Sequence, residues 1–255
     1  EEGTGGQVID WSLEIEGGSL ALLRFMLDIR EGFEDAVESD LDAQLQVLLR
    51  GWGDAVEGAL AEREEASRAA ALAARFAESF PLAYHTDYGP AEAAKDILRL
   101  RALQNADPAT PHGRDVRLYC MPGDGADELR LKVYQLGGAL PLSDAVPALE
   151  NFGFRVLSEV PTRLENGDLA TIHDFTLALA DGGGAQDLLG RADAIEEAIA
   201  QVLNGTAEND VFNQLIIGTA LSARDANLLR AFYRYLRQTG ITFTIHTVVA
   251  ALDRA

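Results

Sequence analysis

Residues 114–180 carry the most regular pattern in the chain, and it is the pattern of a small sheet with one helix. Apolar and polar side chains alternate along residues 128–136, and this period of two is typical of a strand with one buried face. The strands that the pattern predicts are 117–121, 128–136, 154–164 and 169–179. An Asn-Gly pair separates the last two, and Asn-Gly favours a hairpin turn.

One amphipathic helix is predicted between the second and third strands. It opens at residues 141–144 and is expected to end at Asn151 and Gly153, since both residue types tolerate a left-handed cap. Its predicted buried stripe is Leu142, Val146, Leu149 and Phe152. The order of elements predicts an α+β fold, an ACT-like (ferredoxin-like) antiparallel sheet module with one covered face and helical segments on either side. This module contains no nucleophile motif, metal motif or phosphate loop, so we interpret it as a binding or packing module.

The charge of the chain restricts its partners. The formal net charge is −20, and residues 1–65 hold 17 acidic side chains against four arginines. Such a surface repels phosphates, so we expect neither nucleic acid nor an anionic membrane as a partner. The single cysteine, Cys120, excludes an internal disulfide and is expected to be a small core residue of a strand. With no apolar run long enough to span a bilayer and no signal peptide, a cytoplasmic location is the expectation.

Four segments are predicted from changes in periodicity and from loop composition. Residues 1–31 contain two strands without a helix, an incomplete sheet whose other strands lie elsewhere. Residues 32–105 are helical, and a loop rich in proline and glycine at 105–113 precedes the sheet module at 114–180. Residues 185–255 are again helical. The helices predicted in this last segment are 186–203, 209–221, 223–240 and 244–252, the third with a capping box at Ser222 and Asp225.

The titratable residues include one combination that allows a catalytic interpretation. The four histidines are scattered, and none has the spacing of a metal site. His85, Asp87 and Tyr88 allow two interpretations: an acid–base site of a hydrolase or lyase, or a helix connector in which Thr86 and Asp87 cap the next helix. We favour the connector because no nucleophile or cofactor motif accompanies these residues. His173 and Asp174 are neighbours on a predicted strand and therefore point to opposite faces.

Three groups of motifs, in the same order along the chain, resemble the N-terminal regulatory half of the large bacterial NAD-specific glutamate dehydrogenases. The first group is FPLAY at 80–84 and PAEAAKDI at 90–97. The second is LRLKVY at 129–134, PLSDAVPALENFG at 141–153 and IHDF at 172–175. The third is AENDVFN at 207–213 and LRAFYRYLRQ at 229–238. Together they cover about residues 80–240.

The resemblance implies a much longer parent enzyme that oxidises L-glutamate to 2-oxoglutarate and ammonia with NAD. Its catalytic and NAD-binding domains are expected outside these residues, so we assign no catalytic, cofactor-binding or metal residue here. The implied partners are the catalytic domain of the same chain and other subunits, and residues 1–31 would fit the last strands of a preceding ACT-like module. An amino-acid effector is a further possible partner, with the turn at Gly137 and Gly138 as its candidate binding residues. The alternative is a free-standing ACT-like interaction or amino-acid-sensing module.

Overall fold

The computed structural model describes residues 7–16, 20–28, 51–105, 113–164, 169–179 and 184–254. They belong to two units, residues 1–55 and 56–255. Several predicted features lie outside the described residues. These are the helical stripe that the three- and four-residue spacing of Leu41, Leu45, Leu48 and Leu49 predicts, most of the loop at 105–113, the Asn-Gly turn, and most of the loose glycine-rich stretch at 181–184 that is predicted to close the sheet module.

The first unit contains the two predicted strands, β1 (Gln7–Glu16) and β2 (Leu20–Asp28), as an antiparallel pair. Trp11 lies opposite Phe25, and both side chains are exposed. A bulge interrupts the register between Val8 and Asp10. A two-stranded ribbon is marginal in water by itself, and the incomplete sheet expected for residues 1–31 stays a prediction.

Within the described residues, four α-helices precede the larger sheet, and proline marks two of their starts. They are α1 (Trp52–Ala61), α2 (Ala66–Phe76), α3 (Leu82–Asp87) and α4 (Pro90–Gln104), with a 3₁₀ turn after α2. Pro81 immediately precedes α3, and Pro90 is the first residue of α4, where its missing N–H costs nothing. The amphipathic spacing of Ala94, Ile97, Leu98 and Arg101 predicts a helix from residue 90 to 103, and this is confirmed.

The sheet predicted for residues 114–180 is present and antiparallel throughout. Its strands are β3 (Arg114–Tyr119), β4 (Glu128–Leu136), β5 (Phe154–Leu164) and β6 (Ala170–Leu179), in the order β3-β4-β6-β5. Helix α5 (Leu142–Asn151) connects β4 to β5 and ends before Gly153, whose φ of 92° is the predicted left-handed position. The fold is therefore the ACT-like α+β module that the pattern predicted.

The C-terminal helices are more divided than the sequence suggested. They are α6 (Ala185–Leu189), α7 (Ala192–Leu203), α8 (Gln214–Gly218), α9 (Ala223–Gln238) and α10 (Ile245–Leu252), with a 3₁₀ turn before α8. The single helix predicted at 186–203 is wrong. It breaks at Gly190, and the guanidinium of Arg191 leaves the helix line to donate to the carbonyls of Ile216 and Ile217, both at 3.0 Å. The capping box of α9 at Ser222 and Asp225 is confirmed.

One face of the sheet carries the main apolar core. Alternate residues of β3, β4 and β6 join α5, α6 and α7 in a single cluster, whose strand members include Val116, Leu118, Leu129, Leu131, Val133, Phe175 and Leu177. The predicted stripe of α5 is correct for Leu149 and Phe152 but wrong for Leu142, which is exposed, while Ala145 and Ala148 are buried instead. A short helix that lies close to a sheet buries small side chains such as alanine. The stripe predicted from periodicity contained only large apolar residues and therefore left the alanines out.

Helix α7 covers the edge of the sheet at β3. The carboxylate of Glu196 accepts the N–H of Leu118 at 2.8 Å. The side-chain amide of Asn204 both accepts from the N–H of Arg114 and donates to its carbonyl, each at 2.9 Å. Side chains thus occupy backbone groups that an open edge would offer to another strand.

The opposite face of the sheet was predicted to be uncovered, and this is wrong. Helix α4 packs against β3 and β4 on that face, and it does so through polar side chains. Among the described residues, no helix has both the length and the apolar character required to cross a bilayer.

Candidate functional site

A buried polar cluster joins α3 and α4 to the second face of the sheet. We call it the lysine cluster because Lys132 lies at its centre. Its other members are Tyr84, Tyr88, Glu92, Asp96, Arg117, Tyr119, Tyr134 and Asp174. Lys132 and Asp96 are completely buried, and charged residues are almost never buried unless they are paired.

The ammonium of Lys132 is paired with two carboxylates of α4. Its Nζ lies 2.9 Å from Oε1 of Glu92 and 2.7 Å from Oδ2 of Asp96. Three tyrosine rings surround the same nitrogen, with centroids at 4.3 Å for Tyr88, 5.2 Å for Tyr119 and 5.6 Å for Tyr84. A desolvated cation at these distances is attracted by the faces of the rings. Lys132 is therefore held by ion pairs and by aromatic rings at once.

Asp96 accepts hydrogen bonds from both sides of the interface. The hydroxyl of Tyr84 donates to Oδ2 at 2.6 Å, and that of Tyr134 donates to Oδ1 at 2.7 Å. Burial and the nearby Asp96 raise the pKa of Tyr84 well above its ordinary value. The phenol therefore remains a donor at all ordinary pH values.

Arg117 of β3 provides the second cation of the cluster. Its Nη2 donates to Glu92 and lies 3.5 Å from Asp96, and its Nε donates to the hydroxyl of Tyr134 at 3.0 Å. Burial acts to raise the pKa of Glu92, but Lys132 and Arg117 outweigh it and lower that pKa to about 2. Glu92 is consequently an ionised carboxylate that bridges two cations.

Asp174 of β6 closes the cluster on the far side. The hydroxyls of Tyr88 and Tyr119 both donate to its Oδ2. Its Oδ1 is buried and has no hydrogen-bond partner among the residues that the structure describes. Burial raises the pKa of Asp174 above its ordinary value, although both phenols and Lys132 act to lower it. Burying a carboxylate that has hydrogen-bond partners on only one oxygen costs free energy. The hydrogen bonds from Tyr88 and Tyr119 offset part of that cost.

The strand register explains why these residues meet. Arg117 pairs with Lys132 across β3 and β4, and Lys132 pairs with Asp174 across β4 and β6. Residues directly opposite each other share a face of the sheet, so three strands present cation, cation and anion in one row. The cluster was not predicted because polar residues in an alternating strand are ordinarily solvent-facing. Tyr119 and Tyr134 at these polar positions were the available signal of a covered face.

A small pocket lies beside the lysine cluster. Its volume is about 240 Å³. The lining residues are Asp87, Tyr88, Gly89, Glu92, Lys95, Arg117, Tyr119, Cys120, Met121 and Pro122. Their two acids and two bases balance, and Glu92 already pairs with Lys95, Arg117 and Lys132. This wall gives no net attraction for an ion of either sign.

The structure brings His85, Asp87 and Tyr88 neither into an acid–base site nor into the predicted helix cap. Tyr88 is buried and directs its hydroxyl to Asp174, whereas Asp87 is exposed. The expected capping of the next helix is also wrong, because Gly89 occupies that position and Thr86 donates back to the carbonyl of Leu82 at 3.3 Å. The connector thus contributes one residue, Tyr88, to the lysine cluster.

The candidate effector turn lies at the start of the α5 connection. Gly137 and Gly138 have φ angles of 60° and 68° and are exposed. Their carbonyls accept from the side chains of Gln135 at 3.2 Å and Thr171 at 2.6 Å. Both carbonyls are therefore occupied by the sheet itself.

His173 of β6 fixes the residues that follow this turn. Its Nε2 accepts the N–H of Leu140 at 3.0 Å, and its Nδ1 lies 2.7 Å from Oε1 of Glu159. Nδ1 thus carries the proton. His173 points to the face opposite Asp174, as predicted, so the turn and the lysine cluster belong to different faces of the sheet.

Metal chemistry finds no support within the described part of the chain, where no group of three or more His, Cys, Asp or Glu side chains is arranged to hold an ion. The cationic, anionic and phenolic groups of the lysine cluster are bonded to one another. What this arrangement does is to fasten α3 and α4 to the sheet.

Comparison with known families gives these elements a context. A model described as the ACT3 domain of glutamate dehydrogenase matches residues 114–189. Models of its helical motifs 2 and 3 match residues 59–103 and 207–255. The lysine cluster therefore joins helical motif 2, which holds Glu92 and Asp96, to the ACT3 domain, which holds Lys132.

Similar proteins share most of this chain but are much longer. This chain is 31% identical over 237 residues to the NAD-specific glutamate dehydrogenase of Pseudomonas aeruginosa. The aligned region is 92% of this chain and 14% of that protein. The corresponding enzyme of Halomonas elongata is 32% identical over 235 residues, 90% of this chain and 14% of that protein. That of Mycobacterium tuberculosis is 26% identical over 270 residues, with 98% and 16% covered. The chain thus spans about one seventh of these relatives.

Proposed function

Since this chain belongs to the family of large NAD-specific glutamate dehydrogenases, we propose that it is a non-catalytic segment of such an enzyme, serving regulation and subunit assembly. The parent enzyme would convert L-glutamate, NAD and water to 2-oxoglutarate, ammonia and NADH. Its NAD and its substrate would bind to polypeptide outside these residues, as the 14% coverage of its relatives suggests. We further propose that the parent works as a cytoplasmic oligomer.

The lysine cluster is the observation that carries this proposal. In a catalytic site, a titratable group is kept available to a substrate atom. Here Lys132 is enclosed by Glu92, Asp96 and three tyrosine rings, and its side chain is 1% exposed. A buried network whose charged groups pair only with one another specifies how two elements pack. The packing of a helical motif on an ACT module is a structural role, not a catalytic one.

Glutamate-dependent reduction of NAD tests the proposal. Purified residues 1–255 and the full-length parent protein would be compared at equal molar concentration. We expect reduction by the parent alone. Turnover by the 255-residue protein would overturn the non-catalytic assignment, and a parent inactive with L-glutamate would overturn the assignment of the reaction.

An amino-acid effector at Gly137 and Gly138 is a second element of the proposal. Two consecutive positive φ angles at an exposed turn allow the backbone to approach a ligand closely, since neither residue has a Cβ. Two side chains of β6 fix the turn: the hydroxyl of Thr171 donates to the carbonyl of Gly138, and His173 accepts the N–H of Leu140. A ligand that binds there would therefore act on a fixed loop that leads directly into α5.

Titration calorimetry with individual amino acids at millimolar concentration tests the effector site. We expect saturable heat with at least one of them, and its loss in Gly138→Val. The matched control is Gly123→Val, because Gly123 also has a positive φ, at 100°, but lies in the turn between β3 and β4. Absence of heat with every amino acid, or equal loss in both variants, would contradict this site.

A further inference from the structure

Helix α9 exposes a continuous apolar stripe. Its members are Leu228, Phe232, Tyr235 and Leu236. These four side chains are between 44 and 65% exposed. Positions four, seven and eight residues apart lie on one side of a helix, so the stripe is a face and not a scatter of single residues.

The other side of α9 already has its own packing. Ala226 and Arg230 are buried, and Leu229 and Tyr233 pack on the cluster of Phe212, Leu215 and Val249. Arg230 forms a two-pronged contact with Asp210 at 2.7 and 2.9 Å and donates to Asn213 at 2.8 Å. The helix is thus anchored by one face and presents a second apolar face outward.

Charge distinguishes this surface from the rest of the molecule. Helix α9 contains four arginines and one aspartate, a net of +3, in a chain whose formal net charge is −20. Arg230 and Arg234 are paired with Asp210 and Glu208. Arg224 has no carboxylate partner in the described ranges and lies one turn before Leu228 on the same side of the helix, so a complementary surface would be apolar at its centre and acidic where its rim meets Arg224.

The area of the stripe helps to distinguish a separate molecule from a segment of the same polypeptide as its binding partner. Four partly exposed side chains of this size offer on the order of 400 Å² of surface. Stable interfaces between separate molecules typically bury about 800 Å² on each partner. A segment of the same polypeptide needs less, because covalent linkage gives it a high effective concentration. A parent of the length of the relatives would hold most of its residues outside this chain.

We infer that the exposed face of α9 is an intramolecular docking surface, covered in the parent enzyme by an amphipathic, acid-rimmed segment from outside residues 1–255. Helical motif 3, which contains α9, would then be the element through which this region contacts the remainder of the enzyme. The inference rests on the proposed function for the existence of that remainder. It adds the surface and the chemistry of what binds there.

Photo-crosslinking in the full-length parent tests the inference. Tyr235 would be replaced by p-benzoylphenylalanine, irradiated, and the products sized under denaturing conditions and mapped by mass spectrometry. We expect crosslinks within one chain, at monomer mass, to a peptide outside residues 1–255. The control position is Leu82, which is 78% exposed and belongs to α3, and position 235 should exceed it at least tenfold in yield.

The remaining outcomes are each decisive. Products at twice the monomer mass would overturn the intramolecular occupant and show a second copy on this face. Yields at position 235 no greater than at position 82 would show that the face is free. Glutamate-dependent NAD reduction by the same parent preparation separates the two proposals, since an inactive parent with an intramolecular crosslink removes the enzyme assignment and keeps the docking surface.

Discussion

The two faces of the larger sheet are buried by opposite means. Leu131 and Lys132 are neighbours in β4 and both are fully buried, yet they lie on different faces. Leu131 belongs to the apolar core with α5 and α7. Lys132 is paired with Glu92 and Asp96 of α4 inside a cage of tyrosines.

The difference has consequences for how each helix is held. Apolar packing is non-directional, so the core face fixes α5 and α7 through shape and volume. An ion pair with hydrogen-bonded phenols is directional, and burying it is favourable only if every partner is in place. The lysine cluster is therefore expected to specify one orientation of α4 on the sheet, and to respond to pH in a way that the core face does not.

The largest effect is expected from removing the central cation. Lys132→Met leaves Asp96 buried without its ammonium partner, and breaking a buried pair from one side costs about 3–5 kcal/mol. Urea denaturation at neutral pH measures the loss in the free energy of unfolding. Lys132→Met/Asp96→Asn should recover part of it, because position 96 then carries no uncompensated charge. A cost below about 1 kcal/mol for Lys132→Met would remove the distinction between the faces.

The neighbouring residue supplies the apolar counterpart. Leu131→Ala should cost about 2–5 kcal/mol, through lost burial and the cavity that remains. The size is similar, but the cause involves no charge. We therefore expect the cost measured at pH 4 to equal that at pH 7. A pH-dependent cost for Leu131→Ala would mean that the two faces are coupled.

Acid should weaken the polar face through Glu92. Its pKa is lowered from 4.5 to about 2 in the folded protein, so its contribution is present above about pH 4.5 and is lost as the pH falls toward 2. The full difference corresponds to about 3 kcal/mol. Denaturation curves between pH 6 and 2.5 should show a steeper loss for the native protein than for Glu92→Gln. Parallel curves would contradict the assignment.

Asp174 acts in the opposite sense within the same experiment. Its pKa is raised by burial, so its cost to stability is present at high pH and is relieved as the pH falls. Glu92→Gln and Asp174→Asn should therefore change the slope of stability against pH in opposite directions.

A smaller effect is expected from one phenol. Tyr119→Phe removes one of the two donors to Asp174, and a hydrogen bond to a charged group contributes about 1.5–3 kcal/mol. Tyr233→Phe is the matched control, since that hydroxyl donates to the carbonyl of Phe243 at 3.2 Å in an exposed position. Thermal unfolding should show a clearly larger decrease for Tyr119→Phe. Equal decreases would contradict the role given to Asp174.

Local pattern predicted the sheet well, because alternation and turn residues act over short distances. Leu129, Leu131 and Val133 lie on the core face as their spacing indicated, and Ser222 and Asp225 form the capping box. The same pattern assigned Lys132 to solvent. Nothing within β4 indicates that α4, some 40 residues earlier, supplies Glu92 as its partner.

The misplaced helix features have a similar origin. The break at Gly190 lies beside a contact between residues about 25 positions apart, in which Arg191 donates to the carbonyls of Ile216 and Ile217. Exposure of Leu228, Phe232 and Tyr235 could not be distinguished from burial by periodicity, since α9 has apolar residues on two sides. Periodicity identifies an apolar face but not the element that covers it.

The most direct test of the non-catalytic assignment is to weaken the lysine cluster inside the working enzyme. Tyr119→Phe would be made in the full-length parent, and kcat and KM for L-glutamate would be measured beside thermal unfolding and oligomeric mass. We expect a lower unfolding temperature with both kinetic constants within about twofold of the unmodified enzyme, a difference of under about 0.5 kcal/mol in the activation barrier. A drop in kcat of about tenfold or more, with unfolding temperature and mass unchanged, would place the cluster in the chemistry and contradict the non-catalytic assignment.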